Sequence, residues 1–273
     1  MTINCKGELI DLSSPKVMGI LNVTPDSFYD GGFYKNKKEI LNQVEKMLLE
    51  GATFIDIGAY SSKPGATIIS EKEELLRIKP VVKLILKQFP KTLISIDTFR
   101  STVAKETVEI GAALINDISG GSLDEKMFET VAKLQVPYIL MHMKGTPQNM
   151  QDNPTYENIT TELISFFAEQ IFKVHQLQLK DVIIDVGFGF GKSLEHNYQL
   201  LKDLALFGNL NTPVLAGVSR KSMLYKPLHI SANEALNATT TANTIALLNG
   251  ANILRVHDVK EAVEAINIVN LLN

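Results

Sequence analysis

The sequence predicts an α/β fold: a (β/α)8 TIM barrel with an N-terminal β-hairpin covering its bottom, built as a single domain over residues 1–273. Three observations carry that expectation. Eight short runs of β-branched and aliphatic residues recur along the chain. Each is apolar almost throughout, as a parallel strand covered on both faces must be. Segments with apolar residues at spacings of three and four separate them, as helices packed on such a sheet require. Each right-handed crossover returns the chain beside the strand before it, so eight units in about 250 residues can run until the sheet meets itself. An open doubly wound sheet is the alternative, because pattern alone does not show closure.

The first element is "INCKGELIDL", two short alternating runs joined at Lys6-Gly7, which reads as the hairpin. The strands follow as "KVMGILN" from Lys16, "TFIDIG" from Thr53, "LISIDT" from Leu93, "AALINDI" from Ala112, "PYILMHM" from Pro137, "DVIIDV" from Asp181, "PVLAGVS" from Pro213 and "NILRVH" from Asn252. Helical periodicity is clearest in "EILNQVEKMLLEGA", "ELLRIKPVVKLILKQF" and "NEALNATTTANTIALLNGA". Capping-box pairs, Ser70 with Glu73, Ser122 with Glu125 and Ser231 with Glu234, mark helix starts. No change of composition marks a linker.

Composition narrows the function. At 45% hydrophobic and 21% charged residues, with no apolar run of membrane-spanning length, the chain reads as soluble. A net charge of -3, with Lys and Arg spread along the chain, supplies no field for nucleic acid. The first residues lack the pattern of a secretory leader and the single cysteine, Cys5, has no internal partner, which together predict the cytoplasm. One cysteine and five scattered histidines, with no H-E-x-x-H or C-x-x-C, exclude the familiar zinc spacings.

In such a barrel chemistry gathers where strands end. Here the ends carry Asn22, Asp56, Asp97, Asn116, Asp117, His142, Asp185, Ser219, Arg255 and His257. Solvated turns and helix caps would explain any one of them. The set is harder to explain so, because Asn22, Asp97, Asn116 and Asp185 lie inside or at the tips of apolar runs, where burial without a partner costs roughly 1–3 kcal/mol each. Two long loops, "VTPDSFYDGGFYKN" and "AYSSKPGATIIS", have the Gly, Ser, Pro and aromatic content of lids. "GVSRKSML" puts Arg220, Lys221 and Ser222 at a helix start suited to an anion, and "RVH" aims Arg255 and His257 the same way, beside Asn22.

"DVGFGFGKS", Asp185 to Ser193, has the outline of a phosphate-binding glycine loop. The strict G-x-x-x-x-G-K-[ST] spacing fails at Val186, so the stretch is better read as carrying Asp185, Phe188 and Phe190 on a tightly turning backbone, with Lys192 a surface residue at a helix start.

The blocks "GILNVTPDSFYDGG", "DIGAYSSKPGA", "SIDTFRSTVA", "INDISGG", "MHMKGTPQNMQ", "DVGFGFGKS", "GVSRKSML" and "ILRVHDVKEA" run in order from Gly19 to Ala262. Together they resemble the dihydropteroate synthases of folate biosynthesis over nearly the whole chain; the first block and the pairing of "SRKSM" with "RVHDV" are the most specific. The resemblance implies a transferase that joins 4-aminobenzoate to 6-hydroxymethyl-7,8-dihydropterin diphosphate, giving 7,8-dihydropteroate and diphosphate. By that resemblance Asp97, Asn116, Met141, Asp185, Phe190, Gly217 and Lys221 meet the pterin. A carboxylate such as that of Asp185 matches the adjacent N–H and amino donors of the ring edge. Asn22, Ser62, Arg255 and His257 meet the diphosphate, Asn22 with Mg2+. Phe28, Ser62, Lys63, Pro64, Phe188 and Ser222 meet 4-aminobenzoate, which sulfonamides mimic.

The same resemblance implies that diphosphate departs first, leaving a carbocation-like pterin for the arylamine to attack, with Asp97, Lys221, Arg255 and His257 as the catalytic groups. It further implies a homodimer. Where many members read "GESTRPGA", this chain reads "AYSSKPGA", so Tyr60 stands for a glutamate, Ser62 for a threonine and Lys63 for an arginine. Val186 likewise stands for a frequent proline. The alternatives are a related pterin-binding methyltransferase barrel, or an inactive pterin-binding paralogue.

Overall fold

The computed structural model describes residues 1–23, 32–60 and 69–272, and of 32–36 the backbone only. Phe28, Ser62, Lys63, Pro64 and most of both long loops lie outside the described residues.

A hairpin of β1 (Thr2–Cys5) and β2 (Glu8–Asp11) opens the chain, paired antiparallel in the register Ile3 to Ile10. Its tight turn is made by Lys6 and Gly7, at φ 57° and 85°. Eight parallel strands follow: β3 (Lys16–Asn22), β4 (Phe54–Gly58), β5 (Leu93–Asp97), β6 (Leu114–Asp117), β7 (Tyr138–Met141), β8 (Val182–Asp185), β9 (Val214–Ala216) and β10 (Ile253–Val256). They close in chain order, β10 returning to β3, so the sheet is a barrel and not the open alternative. All eight apolar runs became strands.

The helices between them are α1 (Gly32–Leu49), α2 (Glu71–Gln88), α3 (Ser101–Glu109), α4 (Met127–Leu134), α5 (Ile159–Gln176), α6 (Leu194–Lys202), α7 (Ser222–Tyr225), α8 (Leu236–Leu248) and α9 (Val259–Asn270). Ser70 caps α2 by accepting from the Glu73 amide at 3.2 Å. Ser231 and Glu234 form a full capping box, on a 3-10 turn that leads into α8. The Ser122–Glu125 box did not form: Ser122 donates to the Ser119 carbonyl instead, and α4 starts at Met127. A local side-chain bond there competes with the cap and ties down the turn before it.

Because side chains alternate along a strand, the barrel divides its apolar residues into three groups. Outward ones such as Ile55, Ile57, Ile94 and Ile184 pack under the helices against Val81, Val103, Phe167 and Ala246. Inward ones at the lower end, Met18, Phe54, Ile139, Ile183 and Ile253, pack against Ile3, Cys5, Ile10 and Leu12 of the hairpin, which therefore stoppers that end as expected. A third group, Tyr60, Ile118 and Met141 with Phe99 and Phe190, lies apart at the opposite mouth. Between the lower plug and the mouth, the inward positions turn polar.

Candidate active site

Strand alternation aims Asp56 of β4, Ser95 and Asp97 of β5, Asn116 of β6, Asp185 of β8 and Arg255 of β10 into the barrel. Arg255 donates from Nε to Asp56 Oδ2 at 2.7 Å and from Nη2 to Asp97 Oδ2 at 2.9 Å. Asn116 Nδ2 donates to the same Asp56 oxygen at 3.0 Å. Asp56 thus aims two other site residues at once from a fully buried position. The sequence argument placed it at the mouth; it sits a layer below, because Gly58 and not Asp56 is the last inward residue of β4.

The network is incomplete by itself. Asp56 Oδ1, Asp97 Oδ1 and Ser95 Oγ are buried with no hydrogen-bond partner among the described residues. An acceptor left so costs roughly 1–3 kcal/mol, which a donor-bearing ligand or ordered water recovers. Burial pushes the Asp97 carboxyl up to about 7 against the pull of Arg255, with Asp56 adding to the rise.

Asp185 closes the other side of the site. Burial raises its carboxyl, while Lys221, the Gly187 amide, Arg255 and Lys192 all favour its ionised form. Gly187 N donates to Asp185 Oδ1 at 2.8 Å. Gly187 must be glycine twice over: its φ is 69°, and a Cβ there would lie 2.1 Å from the His142 carbonyl oxygen. Gly217 leaves open the space beside Asp185, since a Cβ would sit 3.8 Å from Asp185 Oδ2 and 3.9 Å from Arg255 Cβ. Lys221 lies over the Phe190 ring at 4.9 Å and donates to the Phe188 carbonyl. Burial, with Arg255 adding and Asp185 opposing, lowers its ammonium to about 8.

At the rim, Ser219 Oγ and His257 Nδ1 are 3.0 Å apart, and the same Oγ accepts from the His257 amide at 3.2 Å. Arg220 faces away from an anion role: it forks onto Asp258 with two 2.8 Å bonds and donates to the Ala232 and Asn233 carbonyls. Ser222 starts α7, half-buried.

Four expectations need correcting. Phe188 is fully buried in the outer core and does not wall a subsite at the mouth, because the turning backbone sends Phe188 and Phe190 opposite ways. Lys192 is not a surface residue; it is 3% exposed, with three acceptors around its nitrogen. Asn22 is exposed, so no cost of burial applies to it. Arg255 is committed to Asp56 and Asp97, leaving Nη1 as its edge without a partner among the described residues. Among residues the sequence reading did not place in the pocket, Tyr60 meets Phe99 edge-on at 5.2 Å beside Met141, filling the mouth where the family usually has a glutamate.

A closed barrel with paired acids and lysine at its C-terminal mouth is the arrangement of a pterin-binding barrel enzyme, and the family model described as "Pterin binding enzyme" matches residues 18–257. The dihydropteroate synthase of Escherichia coli strain K12 is 44% identical over 272 residues, covering 98% of this chain and 95% of its own. That of Haemophilus influenzae is 44% identical over 262 residues, covering 95% and 94%. Among solved structures, Yersinia pestis dihydropteroate synthase in a sulfonamide drug complex superposes with a TM-score of 0.93 at 43% identity, covering 100% of this chain and 99% of that one. Xanthomonas albilineans dihydropteroate synthase with 4-aminobenzoic acid gives 0.90 at 36% identity, covering 99% and 97%. The chain belongs to the dihydropteroate synthases, and like them it is a transferase.

Proposed function

We propose that the mouth joins 6-hydroxymethyl-7,8-dihydropterin diphosphate to 4-aminobenzoate, releasing 7,8-dihydropteroate and diphosphate. The observation that carries this reading is the pair of buried acids, Asp97 and Asp185, beside Lys221: a flat ring rimmed with donors and a carbonyl is the chemistry those groups complement. Asp185 accepts the adjacent N–H and amino donors of the pterin, Asp97 Oδ1 and Asn116 meet ring nitrogens, and Lys221 donates to the carbonyl side. Met141 and Phe190 flank the ring face.

The C–O bond to diphosphate breaks first, its electron pair leaving with the diphosphate. The positive charge left on the methylene carbon is spread over the pterin and faced by Asp97. The arylamine nitrogen then adds its lone pair and gives up a proton. No nucleophilic side chain is required, and charge stabilisation at both ends supplies the catalysis. Arg255 Nη1 and His257 face the diphosphate, and Ser222 takes the carboxylate of 4-aminobenzoate. Sulfonamides compete there.

Asn22 fits a shared magnesium site: it is exposed at the end of β3, and no hydrogen bond from a described residue engages its side chain. No cluster of three His, Cys, Asp or Glu stands ready as a cage among the described residues, which suits Mg2+ held mainly by phosphate and water. When bound, Mg2+ neutralises charge on the departing diphosphate. No described helix is long and apolar enough to cross a membrane, and Cys5 is a buried free thiol; both support a cytoplasmic enzyme, which we take to be a homodimer with no nucleic-acid partner. Incubating the purified protein with both substrates and Mg2+ tests the reading: dihydropteroate and diphosphate should form together, and the appearance of neither would sink it.

A further inference from the structure

We propose that Lys192 is a positioning residue for the pterin slot, tying the end of β7 to the loop after β8 and adding a third cation near Asp185. The inference rests on the pterin reading of the site.

The Lys192 nitrogen lies 3.1 Å from His142 Nδ1, 3.1 Å from the His142 carbonyl and 2.9 Å from the Phe190 carbonyl. An ammonium has three N–H donors and meets three acceptors here, so its hydrogen bonding is complete at a position almost closed to water. The anchors are chosen tellingly. Phe190 flanks the proposed ring slot and His142 directly follows Met141, which flanks its other face, so one nitrogen ties one flanking residue to the chain neighbour of the other. A second bond across the same gap runs from the His142 amide to the Asp185 carbonyl at 3.1 Å.

Other bonds hold the same loop: Lys221 donates to the Phe188 carbonyl from the slot side. Asn197 accepts from the Gly189 amide at 2.6 Å, Gln151 donates to the Gly189 carbonyl at 2.6 Å, and Tyr156 donates to the Gly191 carbonyl at 2.8 Å. Those bonds fix where the loop is. Lys192, together with the His142 amide bond to the Asp185 carbonyl, fixes its distance from the end of β7.

The charge has its own consequence. Asp185 faces Lys221, Arg255 and Lys192, with the Gly187 amide on one oxygen. Burial drives the Lys192 ammonium well below its usual range, and Asp185 opposes that fall while Lys221 adds to it. His142 is kept neutral by burial and by the neighbouring Lys192 and Lys144 charges, so its Nδ1 is free to accept. Loss of Lys192 removes one of three cations favouring the Asp185 carboxylate. Asp185 then protonates at higher pH, and a protonated acid no longer offers two acceptors to the ring.

Calorimetry with 6-hydroxymethyl-7,8-dihydropterin, which lacks diphosphate, reads the slot alone. In Lys192→Met the dissociation constant should rise about tenfold or more near neutral pH, as loss of a charge-assisted contact implies. The acid limb of binding should also move to higher pH, and KM for the pterin substrate should rise more than kcat falls. No heat with the wild type would overturn the pterin reading and this inference together. Binding by the wild type, with unchanged affinity and pH profile in Lys192→Met, would overturn the inference alone. If the variant does not fold, side-chain 15N spectra of the wild type decide: His142 should be a neutral Nε2–H ring from pH 5 to 8, and an Nδ1–H ring or one titrating near 6.5 would overturn the proposal.

Discussion

Arg255 reaches past β3 to Asp56, its Nε held 2.7 Å from a carboxylate oxygen that also receives Asn116. Two residues proposed to touch substrate are therefore aimed by a third that does not. Replacing Asp56 by Asn removes the charge while keeping the shape. It leaves Arg255 with one carboxylate in place of two, and breaking a buried pair in this way costs about 3 kcal/mol. Urea unfolding should show that loss, and KM for the pterin substrate should rise with it.

Asp185→Asn exchanges one acceptor for a donor where the pterin brings donors. Calorimetry should show pterin affinity weakened by about 100-fold, the scale of a broken buried charge-assisted pair. Unchanged affinity would refute the assigned pocket.

The Lys221 ammonium, lowered to about 8, sets a basic limb. Because kcat/KM reports groups of the free enzyme, its value for the pterin diphosphate should fall as pH rises through about 8, as the cation beside Asp185 is lost. Lys221→Arg should carry that limb beyond the measurable range, even if the absolute rate drops. A wild-type profile flat to pH 10 would exclude the assignment.

Acid should unfold the protein partly through His142, whose ring is pushed down to about 2 by burial, with the Lys192 charge adding. The folded chain keeps the ring neutral, whereas the unfolded chain protonates it below about 6.5. The stability concerned is present above that pH and is lost as pH falls below it, roughly 2 kcal/mol by pH 5. In His142→Gln, urea midpoints at pH 7.5 and pH 5 should lie correspondingly closer together.

Gly187→Ala places a methyl group against the His142 carbonyl at a φ of 69°. The left-handed backbone alone costs about 1 kcal/mol, and the contact must move β7 or the loop as well. Melting temperature should fall by several degrees, with pterin affinity falling beyond what the lost stability explains.

The barrel was legible because its eight strands are local: each run from "KVMGILN" to "NILRVH" announces burial on both faces without reference to its neighbours. The inward polar set was legible for the same reason, since period two assigns Asp97, Asn116, Asp185 and Arg255 to one side. What failed depended on partners far along the chain. Lys192 looks exposed until His142, fifty positions earlier, is seen to receive it. Phe188 and Phe190 look equivalent until glycines at φ 69° and 81° turn them apart. Asp56 looked like a mouth residue because the level at which a strand leaves the barrel follows from its pairing and not from its composition.

The apolar stopper of Ile3, Cys5, Ile10 and Leu12 makes the barrel a cup with one rim. Everything that visits the floor crosses the same opening twice. A molecule seated against Asp185 blocks nothing above it, but one seated at the rim bars the way below. On the proposed reading the pterin sits against Asp185 below 4-aminobenzoate, so it should enter first, and the joined product should clear the rim before the next cycle.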